Sequence, residues 1–155
     1  MLAYRIVHKS HGKSLIASGL PGRWNSVGNK VVYCAESVAL AMLENMVRRQ
    51  GVGFNTDFCT MVLEIPGSLN IQVVKANELE AGWRNIRDYT KCQPIGNAWY
   101  NEKLYPVLKV PSAVLPESAN FVLNTTHKDF KKVKVLHVAG LVPDTRIEEI
   151  LKARK

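Results

Sequence analysis

GRWNSVGNKVVYCAESVALAMLE, Gly22 to Glu44, is the stretch on which the reading of this chain turns. Gly22 and Gly28 bracket Arg23, Trp24 and Asn25, so the backbone between them is free to turn tightly and to approach a ligand. Lys30 to Cys34, KVVYC, is β-branched and aromatic, which predicts a short strand carrying Tyr33. Ser37 follows as an N-cap, and Glu36 sits where the positive end of a helix dipole favours an acid. The helix predicted from Ser37 to Arg49 has Val38, Leu40, Ala41, Met42, Leu43, Met46 and Val47 as its apolar residues. Glu44 falls among them, with Leu40, Ala41 and Val47 on its own face. A carboxylate there is costly unless something pairs with it or it lines a cleft. Two readings stay open: a surface glutamate reaching water beside Arg48, or a cleft carboxylate served by the arginine of the preceding loop.

Outward from this stretch, Ala3 to His8 predicts a first strand, on which Arg5 shares a face with Ala3 and Val7. Arg5 is either an edge-strand arginine reaching solvent or an anion ligand in the cleft of Glu44. Ser10 to Leu20 reads as loop, Phe58 to Ile65 as a strand stopped by Pro66-Gly67, and Leu69 to Val74 as another strand. Asn77 is placed to cap a helical turn through Glu80, and Gln93 to Leu104 reads as a helix with Pro94 in its first turn. Val107 to Val110 and Asn120 to Leu123 read as strands, His127 to Phe130 as a helical turn, Val133 to Val142 as the last strand, and Asp144 to Arg154 as a closing helix capped by Asp144. Pro111 and Pro116 stiffen the corner that holds Ser112, which is either a turn-capping serine or a hydroxyl held in a fixed direction. Short strands and helices in irregular order make the fold class α+β rather than doubly wound.

At 155 residues the chain is most simply one domain, 1–155. Its 46% hydrophobic and 22% charged residues are those of a soluble globular protein, and no apolar run approaches the roughly 20 residues of a membrane span. The N-terminus MLAYRIVHK has no signal-peptide core, so a cytoplasmic protein is expected. Cys34, Cys59 and Cys92 form no CxxC pair and are expected to be reduced and mostly buried. The net charge of +8 suits nucleic acid, an anionic small molecule or an acidic protein partner. The basic residues, among them clusters at 128–134 and 152–155, form no groove-reading helix or aromatic platform, so direct nucleic-acid binding is not expected. There is no P-loop, GxGxxG, HExxH or GxSxG. His127 stands alone and is read as structural.

These residues together resemble the RES-domain family, the toxin half of bacterial RES–Xre toxin–antitoxin pairs. The resemblance runs through Tyr4-Arg5, GRWN at 22–25, VVYCAES leading into ALAMLE with Tyr33 and Glu44, PSAVLP with Ser112, NFVLN at 120–124 followed by His127, and Asp144 with Arg146. It covers nearly the whole chain in order, resting on Trp83 and Trp99 where the middle is least patterned. It implies a fold similar to the ADP-ribosyltransferase toxins, with NAD as substrate in a cleft and no metal. It implies breakage of the nicotinamide–ribose bond by hydrolysis or phosphorolysis, or else ADP-ribosylation of a protein. It also implies an Xre-type helix-turn-helix antitoxin as partner, with homodimers and larger toxin–antitoxin complexes.

Carried onto this chain, the resemblance makes Glu44, Arg23 and Tyr33 the catalytic candidates and Arg5, Trp24, Asn25 and Ser112 the substrate-binding ones. Glu44 would stabilise the oxocarbenium-like ribose, Arg5 and Arg23 would grip the diphosphate, Tyr33 would stack on nicotinamide, and Ser112 would bond the carboxamide or a ribose hydroxyl. Two rivals are a basic RNA-binding or RNA-cleaving toxin and a non-catalytic domain that binds an acidic partner.

Overall fold

The structure is a computed structural model that describes residues 1–52 and 54–153, without the side chain of Lys152. Seven strands form one mixed sheet: β1 (Leu2–His8), β2 (Val31–Ala35), β3 (Phe58–Glu64), β4 (Ile71–Val73), β5 (Val107–Pro111), β6 (Ala119–Asn124) and β7 (Lys134–Gly140). Their order is β4-β5-β6-β2-β1-β3-β7, parallel between β4 and β5 and antiparallel elsewhere. The helices are α1 (Val38–Arg48), α2 (Gln93–Glu102) and α3 (Thr145–Lys152). The expected α+β class and element order hold.

Capping sets the helix starts. The Ser37 hydroxyl accepts from the Leu40 N–H at 3.1 Å, and Asp144 accepts from the Arg146 N–H at 2.9 Å. Asn77 does not cap its turn; instead Glu78 reaches back to accept from the Lys75 N–H, so a short 3-10 turn forms at Ala76–Glu78. The helical turn expected at 127–130 is displaced to Phe130–Lys132. The basic residues Arg154 and Lys155 lie outside the described residues.

Both faces of the sheet are covered. On one, Ala3, Val7, Val32, Cys34, Met61, Leu63, Phe121 and Leu123 are buried beneath Leu15, Ala17, Phe130 and Val133. On the other, α1 packs Leu40 and Ala41 on Tyr4, Ile6 and Ala35, while α2 and the segment before it gather Trp24, Trp83 and Trp99 over Val31, Leu108 and Val122. Pairing is uneven across the sheet. β1 matches β3 over its whole length but meets β2 at a single register pair, Tyr4 with Ala35. That single pair makes a weakly paired seam between the half-sheets β4-β5-β6-β2 and β1-β3-β7. Arg5 on one side and Cys34 on the other are the first residues beyond that pair.

Candidate active site

The site grows from the α1 face that borders this seam. Glu44 lies one turn beyond Leu40 and Ala41, the residues that seat α1 on the sheet, so packing fixes the backbone that carries it. Its Oε1 accepts from the Ser112 hydroxyl at 2.7 Å and from the Asn120 Nδ2 at 2.6 Å. Among the described residues Oε2 has no hydrogen-bond partner, and no ion pair joins Glu44 to Arg48. Glu44 is thus paired, as neither reading expected: its partners are Ser112 and Asn120, not Arg48 and not the arginine of the preceding loop.

Ser112 and Asn120 reach Glu44 because the β5–β6 hairpin brings them to one face. Val110 pairs with Asn120, and Ser112 is two residues further along β5's line, so alternation points both side chains the same way. Ser112 is 0% exposed. Its oxygen also accepts from the Val114 and Leu115 N–H groups at 3.1 and 3.0 Å, so its one proton goes to Glu44. Both sequence readings of Ser112 are thus combined: it caps its turn, and its hydroxyl has one fixed direction. In this structure its bonding capacity is filled from within the protein. Asn120 was missed as a site residue by sequence reasoning. The available signal was an asparagine opening an apolar strand, where that residue is disfavoured unless its amide is used.

Tyr33 pairs with Val122, which makes it the diagonal neighbour of Asn120 on this same face. Its ring is half-buried and its hydroxyl is occupied, donating to Asn25 Oδ1 at 2.7 Å and accepting from the Trp24 N–H at 3.0 Å. Burial pushes the phenol's pKa well above its ordinary value. Tyr33 is therefore neutral and anchored, with only its ring left to offer.

The loop 22–30 is a closed piece of architecture. Asn25 is 0% exposed, and its Nδ2 donates to the carbonyls of Leu20, Ser26 and Asn29. Trp24 is 2% exposed in the core beneath α2. From α2, Gln93 donates to the carbonyls of Gly22 and Asn25, Asn97 bonds Ser26 and Asn29, and Tyr100 accepts from the Lys30 N–H. At Gly96 the two segments touch: a Cβ there would lie 1.9 Å from the Trp24 carbonyl oxygen. Trp24 and Asn25, expected to touch substrate, are both buried, and Asn25 holds the loop together through its amide.

The two arginines differ. Arg23 donates to the backbone carbonyls of Trp83, Arg84 and Asn85, and its guanidinium lies 4.9 Å from the centre of the Tyr89 ring. Its fork is engaged by the segment 83–89 rather than standing free in the loop. Arg5 is half-buried at the seam and has no hydrogen bond or ion pair among the described residues. Desolvation lowers its pKa, and the charge of Arg48 adds to that lowering while Cys34 opposes it. Arg48 also bears on Tyr33. The structure thus joins Glu44 with Ser112 and Asn120, joins Tyr33 with Trp24 and Asn25, and leaves Arg5 alone at the seam.

Cys34, Cys59 and Cys92 are free and buried, as expected, and burial pushes the Cys34 thiol up to about 12. Among the described residues no group of three or more His, Cys, Asp or Glu is gathered as a metal site, and no helix is long and apolar enough to cross a membrane.

The RES domain family matches residues 2–147. The chain belongs to the RES-domain family. Its relatives include a protein named Toxin Res from Yersinia enterocolitica, 33% identical over 84% of this chain and 88% of the relative. A Toxin Res from Photorhabdus laumondii is 32% identical over 85% and 86% of the two chains. A protein named Prs ADP-ribosylating toxin, from a Sphingobium strain, is 31% identical over 81% and 80%. A chain of the M. tuberculosis MbcT–MbcA toxin–antitoxin complex superposes with a TM-score of 0.75 over 97% of this chain and 88% of that one, at 17% identity. That superposition shows a shared fold over nearly the whole chain.

Proposed function

We propose that this RES-domain protein is a toxin that depletes NAD by opening the bond between nicotinamide and ribose. The observation that carries the reading is the asymmetry of the Glu44 carboxylate: Oε1 is fixed by Ser112 and Asn120, and Oε2 has no partner among the described residues. When the glycosidic bond breaks, its electron pair leaves with nicotinamide and positive charge develops on the ribose ring. A carboxylate oriented beforehand, with one oxygen left open, stabilises such a charge without reorganising. An oxygen of water or phosphate then bonds to the ribose carbon and gives up its proton. Arg5, half-buried and without a counter-ion among the described residues, suits the diphosphate of NAD, which a guanidinium fork can grip bidentately. The half-buried Tyr33 ring offers an apolar face to nicotinamide.

Protein ADP-ribosylation is the second reading, favoured by the relative named Prs ADP-ribosylating toxin. It uses the same bond breakage and differs in the acceptor. The partner in the proposal is an Xre-type helix-turn-helix antitoxin that covers the cleft, drawn by the +8 charge to bring an acidic surface, and the site of action is the cytoplasm.

Incubating the purified protein with NAD, with and without phosphate and with a cell extract, tests the reading. Free ADP-ribose, a phosphorylated ADP-ribose or labelled protein identifies water, phosphate or protein as the acceptor. On expression without the partner, NAD is expected to fall before growth stops, with RNA intact. Growth arrest with NAD at its starting level would overturn the proposal in favour of the RNA-directed rival.

A further inference from the structure

Arg84 is exposed and pairs with no carboxylate among the described residues, yet its guanidinium is engaged. Its Nε donates to the carbonyl of Ala113 at 2.8 Å, and its Nη2 approaches the carbonyl of Val114 at 3.5 Å. These carbonyls belong to the two peptide units whose other ends hold Ser112. The Ala113 carbonyl shares a peptide plane with the Val114 N–H, and the Val114 carbonyl shares one with the Leu115 N–H. Both N–H groups donate to the Ser112 oxygen. A cation at the outer end of each plane polarises the peptide and strengthens the donation at its inner end. The Ser112 oxygen is thereby fixed on one side, and its proton is aimed at Glu44 Oε1 on the other.

The segment that carries Arg84 is itself held. Arg23 grips the carbonyls of residues 83–85 from the loop 22–30, with Tyr89 beneath its guanidinium. Trp83 is buried and the Asn85 N–H bonds the Gly82 carbonyl at 2.9 Å, so the base of Arg84 does not wander. One arginine thus fastens the segment to the loop, and the next fastens the Ser112 turn to the segment.

We propose that Arg84 is a positioning residue for the Glu44 carboxylate, acting through the peptide planes of the Ser112 turn. It touches neither Glu44 nor Ser112 and binds no substrate. The consequence for NAD cleavage rests on the function proposed above; the consequence for the turn does not. Removing the fork should loosen the turn and broaden the orientations of the carboxylate, which lowers the rate of the chemical step while leaving substrate binding alone.

The test uses the full chain as wild type, Arg84→Gln and Arg84→Lys, with two readouts. In Arg84→Gln, hydrogen exchange of the Val114 and Leu115 amides is expected to quicken by about tenfold with the β6 amides unchanged. In the same variant kcat for NAD is expected to fall roughly tenfold, with KM within about twofold of wild type. Arg84→Lys keeps a charge but not the fork, so it should fall between the two. Unchanged exchange at Val114 and Leu115 overturns the proposal, as does faster exchange with an unchanged kcat, or a loss carried by KM. A wild type that does not consume NAD overturns the proposed function instead, and the exchange rates alone then decide whether Arg84 holds the turn.

Discussion

The seam and the loop 22–30 each carry an arginine and a second polar group, and the two regions handle them in opposite ways. In the loop and the strand that follows it these groups are matched: Arg23 by three carbonyls, Asn25 by three carbonyls and a phenol, Tyr33 by an amide and an N–H. At the seam the matching stops short. Arg5 has no partner among the described residues, and Glu44 is held by one oxygen only. A half-buried charge without a partner raises the energy of the folded protein, and the fold bears that cost elsewhere in its packing. Filled groups make the loop rigid; unfilled ones leave the seam able to gain energy when a ligand arrives. Substitutions at the seam should therefore change catalysis or binding more than stability, and substitutions in the loop should do the reverse.

The largest departure is expected at Glu44. Glu44→Gln keeps the side-chain length and an oxygen that can still accept from Ser112 and Asn120, so the fold should survive. What it loses is the charge at the open position. Loss of one preorganised electrostatic group typically lowers the rate on the order of 10²–10³, and NAD turnover by Glu44→Gln is expected to fall by that much. Near-wild-type turnover in a variant with an unchanged melting curve would remove Glu44 from the mechanism and erase the contrast between the two regions.

The arginine pair sharpens the contrast. For Arg5→Gln, NAD affinity measured by calorimetry is expected to fall about tenfold or more, since a charge-assisted pair contributes about 1.5–3 kcal/mol. Its melting temperature should stay level or rise, because the substitution removes a desolvated cation without a partner. For Arg23→Gln the order is reversed: NAD affinity changes less and the melting temperature falls, as the carbonyls of 83–85 lose their donors. Equal loss of affinity in both variants, with equal melting temperatures, would keep Arg23 on the diphosphate.

What the sequence made legible was what is local. The cap at Ser37, the strand of Tyr33 and the apolar face around Glu44 depend on neighbours within a few residues, and all are found where expected. The pairing of Glu44 with Ser112 spans 68 residues and that with Asn120 spans 76, so no window of sequence shows it. The family resemblance supplied the residues without their partners. For Arg23 the partners were not legible: an arginine among glycines looks free, whereas its acceptors are backbone carbonyls 60 to 62 residues away, which leave no mark in side-chain chemistry. The partners of Asn25 and Ser112 were hidden in the same way: polar residues in turns look unpaired until the fold supplies their hydrogen bonds. The segment around Trp83 was hardest, because it owes its shape to Arg23 and Arg84 rather than to periodicity.

Tyr33 gives the smallest effect and the most direct view of a filled group. In Tyr33→Phe the ring stays, so stacking on nicotinamide should persist and NAD turnover should change little. The Asn25 Oδ1 loses its donor and the Trp24 N–H its acceptor, both in a part-buried setting. Two groups left short of partners should cost about 1–2 kcal/mol, a fall of roughly 2–8 °C in melting temperature for a chain of this size. A second signature lies in alkali. The folded phenol has its pKa raised by burial, while in the unfolded chain it ionises near about 10. Below that pH both states keep the proton and stability is full; above it the unfolded state releases its proton first, so stability falls as pH rises. Lysines and other tyrosines also titrate there, so the informative quantity is the difference between wild type and Tyr33→Phe. The stability gap between them is expected to narrow as pH climbs beyond about 10. A gap that stays constant through that range would mean that the Tyr33 hydroxyl is solvated, and that the loop is less closed than its hydrogen bonds indicate.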